Sequence, residues 1–124
     1  MNEDDALPAL ERLVVSGLFG PGTDFDRFPW RPFRDGVEIA RLYGGGDTGP
    51  TAALLRYAPG ACVPAHLHRG NEHILVLRGS QRDERGTYEA GTLLAHGVGT
   101  GHSVISDGGC IALAIWFAPV EIGG

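Results

Sequence analysis

The stretch Gly60–Gly79, GACVPAHLHRGNEHILVLRG, decides how this chain is read. It places His66, His68 and Glu72 between two glycines, just ahead of the apolar run His73–Gly79. Side chains alternate across an extended segment, so histidines two residues apart project from one face and can meet a single ion. Gly70 and Asn71 let the chain turn, and Glu72 opens the next strand. On that strand Glu72, Ile74 and Val76 share a face, which sets a carboxylate at the head of an inward apolar row. An ionised, unpaired carboxylate in that position costs several kcal/mol, and a bound cation removes the cost. The plainer alternative makes each histidine a satisfied structural residue, and periodicity alone leaves the two readings level.

Outward from this stretch the chain looks like short strands and turns. Twenty glycines and eight prolines punctuate it. Val37–Tyr43, Thr51–Ala58, His73–Gly79, Gly91–His96, His102–Ile105 and Cys110–Phe117 have β character. Several are apolar at both parities, as expected of strands covered on both faces. The one helix candidate, Asp5–Leu13, is short, acidic and interrupted by Pro8. Gly44–Pro50 (GGGDTGP) reads as a turn; it lacks the GK[ST] ending and following helix of a phosphate loop. The residues therefore predict an all-β sandwich or small barrel.

At 124 residues the chain has room for one hydrophobic core. Its 43% hydrophobic content suits a soluble globular domain, and no run of about 18 apolar residues marks a membrane span. The acidic N-terminus lacks a signal-peptide pattern, so a cytoplasmic protein is expected. A net charge of −5 opposes nucleic-acid binding, which needs clustered cations. All ten cations are arginine, so lysine chemistry is excluded. Cys62 and Cys110 show no CxxC spacing and read as small buried residues, with Cys62 the nearer of the two to the histidines.

Gly60-x5-His66-x-His68-x3-Glu72-x6-Gly79 resembles the first motif of the cupin superfamily at each defined position. Gly91-x5-Gly97-x-Gly99-x2-His102-x3-Ser106 is similar to the second, departing at Gly97 where the family has proline and at Ser106 where it has asparagine. Those two positions shape a turn, so the departures bear on loop rigidity more than on ligation. From about Pro29 to Phe117 the chain looks like the ChrR-like cupins, a group that includes anti-sigma-factor sensing domains, acetylacetone-cleaving dioxygenases and stand-alone proteins. The resemblance implies a double-stranded β-helix, the jelly-roll cupin barrel, over residues 29–120, with 1–28 as an N-terminal segment packed on an edge or swapped onto a second subunit. It implies one divalent transition metal inside the barrel, held by His66, His68, Glu72 and His102. Zinc is implied for the regulator branch and iron for the dioxygenase branch, with nickel or manganese as alternatives.

Two functions follow: a small-molecule enzyme of dioxygenase type, or a non-catalytic ligand- or redox-sensing module with zinc. The expected partners are a small molecule and a second copy of the chain, a homodimer. The anti-sigma relatives are implied to carry a helical zinc-binding domain ahead of the cupin. The roughly 30 residues here hold no histidine or cysteine, so direct sigma-factor inhibition is not expected. His73 should face away from Glu72 and pack or form an interface. His96 stands where relatives carry asparagine, and either hydrogen-bonds to a ligand or serves a surface turn. One of Arg41, Arg56 and Arg78 is a candidate for holding an anionic substrate. Tyr57 and Trp116 read as core aromatics. No acid or base beyond the metal ligands stands out.

Overall fold

The computed structural model describes residues 10–44, 50–118 and 120–122, of which 65–68 and 120–122 are described by backbone alone. A 3-10 turn at Phe25–Arg27 precedes ten strands: β1 Arg31–Arg34, β2 Val37–Tyr43, β3 Thr51–Tyr57, β4 Ala61–His68, β5 Glu72–Asp83, β6 Gly86–Glu89, β7 Leu93–His96, β8 Gly101–Ser106, β9 Cys110–Trp116 and β10 Val120–Ile122. All strand pairs are antiparallel, and the main path runs β1-β2-β3-β9-β5-β8-β4-β10, with β6 and β7 also paired to β5. The result is a nearly closed antiparallel barrel with a jelly-roll fold, as the all-β reading expects. Among the described residues no helix is long and apolar enough to cross a membrane.

Strand β5 joins the two sheets. Its first half pairs with β7 on one side and β9 on the other, and its second half pairs with β6 and, at Arg82, with β8. The sequence reading ends this strand at Gly79, but the chain continues to Asp83. Gly79 takes φ +74°, and a Cβ there would stand 2.2 Å from the Gly109 carbonyl oxygen. Glycine thus bends the strand from one sheet into the other instead of ending it.

Alternation along the strands builds two cores. Val37, Ile39, Ala53, Leu55, Tyr57, Ile74, Ala112, Ala114 and Trp116 face inward and meet Ala61, Val63 and Val104 from the opposite wall. Ala40, Leu54, Leu77 and Ile111 face outward from the same strands and are covered by Phe25, with Leu18, Phe28 and Trp30 alongside. Thr51–Tyr57 is accordingly buried at six of its seven positions, the double-sided cover that its sequence predicts. Burying Phe25 to 4% exposure contributes about 1.5–3 kcal/mol.

Arginines fasten this covering segment. Arg56 bridges Asp26 at 2.7 Å and Glu38 at 3.0 Å and lies over the Trp30 ring, while Arg78 lies over Phe25 and donates to the Thr23 carbonyl. Pro32 is accommodated in β1 because that strand is at the sheet edge, and its register with β2 shifts between Pro32 and Arg34. The helix candidate Asp5–Leu13 lies outside the described residues up to Ala9, and residues 10–13 are not helical. The GGGDTGP turn lies outside them from Gly45 to Gly49.

Candidate metal centre

Glu72 opens β5 with neighbours on both sides. Its direct cross-strand partners are His96 on β7 and Trp116 on β9. Directly opposed residues of an antiparallel pair project from the same face, so the three side chains must meet. Trp116 Nε1 donates to Glu72 Oε2 at 2.6 Å, and His96 Nδ1 stands 3.2 Å from Glu72 Oε1. His102, the second residue of β8, arrives from the other sheet and brings its Nε2 to 3.5 Å from the same Oε1. The His96 and His102 ring centroids are 4.2 Å apart.

Glu72 is 4% exposed and His102 8%, so both are cut off from bulk water. A carboxylate so placed needs partners: the indole N–H serves one oxygen, and two imidazoles converge on the other. One potential ligand atom each from Glu72, His96 and His102 lie within 4.8 Å of one another. Two ligands roughly 2.1 Å from one ion stand about 3.0 Å apart at a right angle and about 3.4 Å apart at a tetrahedral angle. The observed 3.2 and 3.5 Å match these separations, and imidazole with carboxylate is a donor set for divalent transition metals. These residues fit a metal ion.

Burial by itself lowers the His102 pKa. The close Glu72 carboxylate and then the nearby Asp83 and Glu84 charges outweigh it, and the net shift is upward. Asp83 Oδ2 lies 3.8 Å from His102 Nδ1, while Asp83 Oδ1 accepts from Arg85 N, Gly86 N and Tyr88 Oη. The β5–β6 turn thereby presents an anchored carboxylate to the back of the His102 ring. Tyr57, deep in the inner core, has its phenol pushed above its ordinary range, first by burial and then by Cys110 and Glu72.

Of the residues singled out from the sequence, the structure brings Glu72 and His102 together. His66 and His68 lie on β4, and His66 occupies the register position opposite His102. The side chains of His66 and His68 lie outside the described residues. His96 contacts Glu72 directly, which a surface-turn role does not require. Its signal was strand parity: His96 shares a face with Leu94, which packs against the inner core. Trp116 is a core aromatic as expected, and its indole N–H also holds the carboxylate.

His73 faces away and meets Phe117 edge-on at 5.2 Å. Cys110 is buried and Cys62 exposed, so the expectation of two buried thiols holds for one. Burial raises the Cys110 pKa, against a hydrogen bond with Ser106. Of the three candidate arginines, Arg56 and Arg78 serve the outer covering segment and do not contact the centre.

A family model described as the ChrR cupin-like domain matches residues 21–116. The anti-sigma-E factor ChrR of Cereibacter sphaeroides is 39% identical over 94 residues, which cover 74% of this chain and 43% of that protein. The present chain thus spans less than half the length of that curated relative. The crystal structure of Rhodobacter sphaeroides SigE in complex with the anti-sigma ChrR aligns with TM-score 0.66 at 35% identity, covering 75% of this chain and 50% of that one. An acetylacetone dioxygenase from Acinetobacter johnsonii aligns with TM-score 0.72 over 95% of this chain and 80% of that one. At 15% identity it shares the fold.

Proposed function

The chain belongs to the ChrR cupin-like domain family, and on that premise we propose that it is a metal-dependent small-molecule enzyme of dioxygenase type. Its ion would be a divalent transition metal, zinc or iron, with nickel or manganese as alternatives, held by Glu72 and His102 together with His66 and His68. The observation that carries this reading is the convergence of His102 and His96 on one oxygen of a buried glutamate whose other oxygen is tied to Trp116. A metal held there supplies Lewis acidity toward an oxygen-donor small molecule and, where the metal is iron, redox chemistry toward dioxygen.

The chain's own residues have definable tasks in this reading. Trp116 fixes the plane of the Glu72 carboxylate. Asp83 places a negative charge 3.8 Å behind the His102 ring, which favours a positively polarised imidazole. The His96 side chain is 19% exposed against 5% for Glu72 and 8% for His102, so the cluster has a side that a small molecule can approach. The inner walls beside it, Ile74, Val104 and Ala114, are apolar and favour an uncharged or chelating organic ligand over a polyanion.

A second reading is favoured by the 39% identity with part of an anti-sigma-E factor: a non-catalytic ligand- or redox-sensing module carrying zinc. Elemental analysis of the protein purified from its own host separates the two. Iron, together with oxygen uptake on adding a chelating 1,3-diketone such as acetylacetone, supports the enzyme. Zinc with no uptake overturns the enzyme reading in favour of the sensor. A His66→Ala, His68→Ala double variant that keeps its full metal content overturns the ligand set. We also propose a homodimer, for which the exposed Leu10, Leu13, Val14 and Phe19 offer apolar surface; light scattering at micromolar concentration that returns a monomer rejects it.

A further inference from the structure

The donor set proposed above leaves out His96, which stands nearer the Glu72 carboxylate than His102 does. His96 Nδ1 lies 3.2 Å from Glu72 Oε1, closer than His102 Nε2 at 3.5 Å. We infer that His96 is itself a ligand of the ion, an additional protein donor beyond His66, His68, Glu72 and His102. The inference rests on the metal-binding reading and extends it.

Three features carry it. His96 is the register partner of Glu72, so the β5–β7 ladder fixes its direction. Its separation from Oε1 falls between the values that a right-angled and a tetrahedral arrangement around one ion require, roughly 3.0 and 3.4 Å. Its ring stands 4.2 Å from that of His102 and tilted by 51°, so both imidazoles gather at the Oε1 side of the carboxylate, while Trp116 occupies the Oε2 side.

The competing role is a hydrogen bond, with Nδ1–H donated to Oε1 and the ring outside the coordination shell. The two roles differ in the number of imidazoles bound to the ion. They also differ in consequence. Five protein donors leave one open position in an octahedral shell, so a small molecule that chelates through two atoms must displace a donor. His96, the last residue of β7 and the most exposed of the three described donors, is the one placed to give way. A nitrogen-rich shell also favours a transition metal over magnesium or calcium.

The full chain, reconstituted with one equivalent of zinc or of cobalt(II), tests this. X-ray absorption at the zinc edge counts imidazoles, and the visible bands of cobalt(II) report its geometry. H96N is expected to bind one ion with one imidazole fewer than wild type and to shift the cobalt bands; H96Q provides a second neutral replacement should H96N fail to fold. An unchanged imidazole count and spectrum in a loaded variant overturn the ligand role and leave the metal-binding reading standing. A folded wild type that takes up no ion overturns both.

Discussion

Trp116 donates its indole N–H to Glu72 Oε2 at 2.6 Å, and the two residues are direct cross-strand partners on neighbouring strands β9 and β5. The register that closes the sheet therefore also aims the carboxylate. A buried carboxylate with one oxygen fixed has lost most of its rotational freedom before any ligand arrives, which is how a ligand is prepared for its metal.

Trp116→Phe retains an aromatic ring in the inner core and removes the donor. The metal-free protein is expected to lose about 1–3 kcal/mol of stability through the unsatisfied oxygen. Metal affinity is expected to fall roughly 10–100-fold as Glu72 gains freedom. Competition against a chromophoric chelator measures the second effect; an unchanged affinity would show that the indole serves packing alone.

Glu72→Gln removes the charge while keeping shape and a carbonyl that can still accept from Trp116. A ligand that binds only the folded state at 100 times its Kd stabilises that state by about 2.7 kcal/mol. Wild type is therefore expected to melt at a higher temperature on adding zinc at that ratio, and the variant is expected to show no rise. Calorimetry with and without zinc checks this. A rise of equal size in the variant would place the ion elsewhere.

The barrel was legible because its strands obey a period of two and are separated by glycines that turn the chain. Runs such as Thr51–Ala58 and Cys110–Phe117, apolar at both parities, were recognisable as strands covered on both faces, although what covers them, Phe25 and its neighbours, depends on a tertiary contact that alternation cannot reveal. Glu72 could be picked out because spacing and resemblance agreed, whereas His102 was picked out by the resemblance alone. The place of His96 could not be fixed, because it depends on which residue of β5 stands opposite which residue of β7, and a one-residue slip would turn its ring away. Arg56 and Arg78 were open to a substrate role because a strand arginine has no periodicity of its own to say which face it serves. Their true partners, Asp26, Trp30 and Glu38 for Arg56 and Phe25 for Arg78, all lie on other elements, too far along the chain for local spacing to reveal them. Cys62 looked buried by residue type, yet its position on β4 leaves it exposed.

Gly79→Ala tests the bend that lets β5 serve two sheets. The new Cβ would meet the Gly109 carbonyl oxygen at 2.2 Å, against rigid backbone, and alanine would be strained at φ +74°. Strain and overpacking together are expected to cost roughly 2–4 kcal/mol, seen as a fall in the midpoint of denaturant unfolding. Gly91→Ala is the control: its φ is also positive, at +93°, but a Cβ there meets nothing within 4 Å, so backbone strain acts alone and the loss is expected to be smaller. Equal losses in the two variants would remove the close approach to Gly109 as the reason for glycine at 79.

The Glu84 carboxylate accepts from both the hydroxyl and the backbone N–H of Ser103, the residue after His102, and so ties the β5–β6 turn to the strand that carries the buried imidazole. The Ser103 hydroxyl, the Ser103 N–H and the Glu84 N–H hold its pKa at about 2, below the ordinary 4.5. A carboxyl depressed on folding contributes stability that is fully present above its unfolded value and lost as pH falls through the folded one. The contribution is thus expected to persist at pH 5 and above and to fade between about 4.5 and 2. The side chain is fully exposed, so salt should weaken the effect further. Glu84→Gln should accordingly be less stable than wild type at pH 7, with the gap closing toward pH 2 in urea unfolding curves recorded across that range. A gap that stays constant would show that the amide replaces the carboxylate geometry poorly for reasons unrelated to its charge.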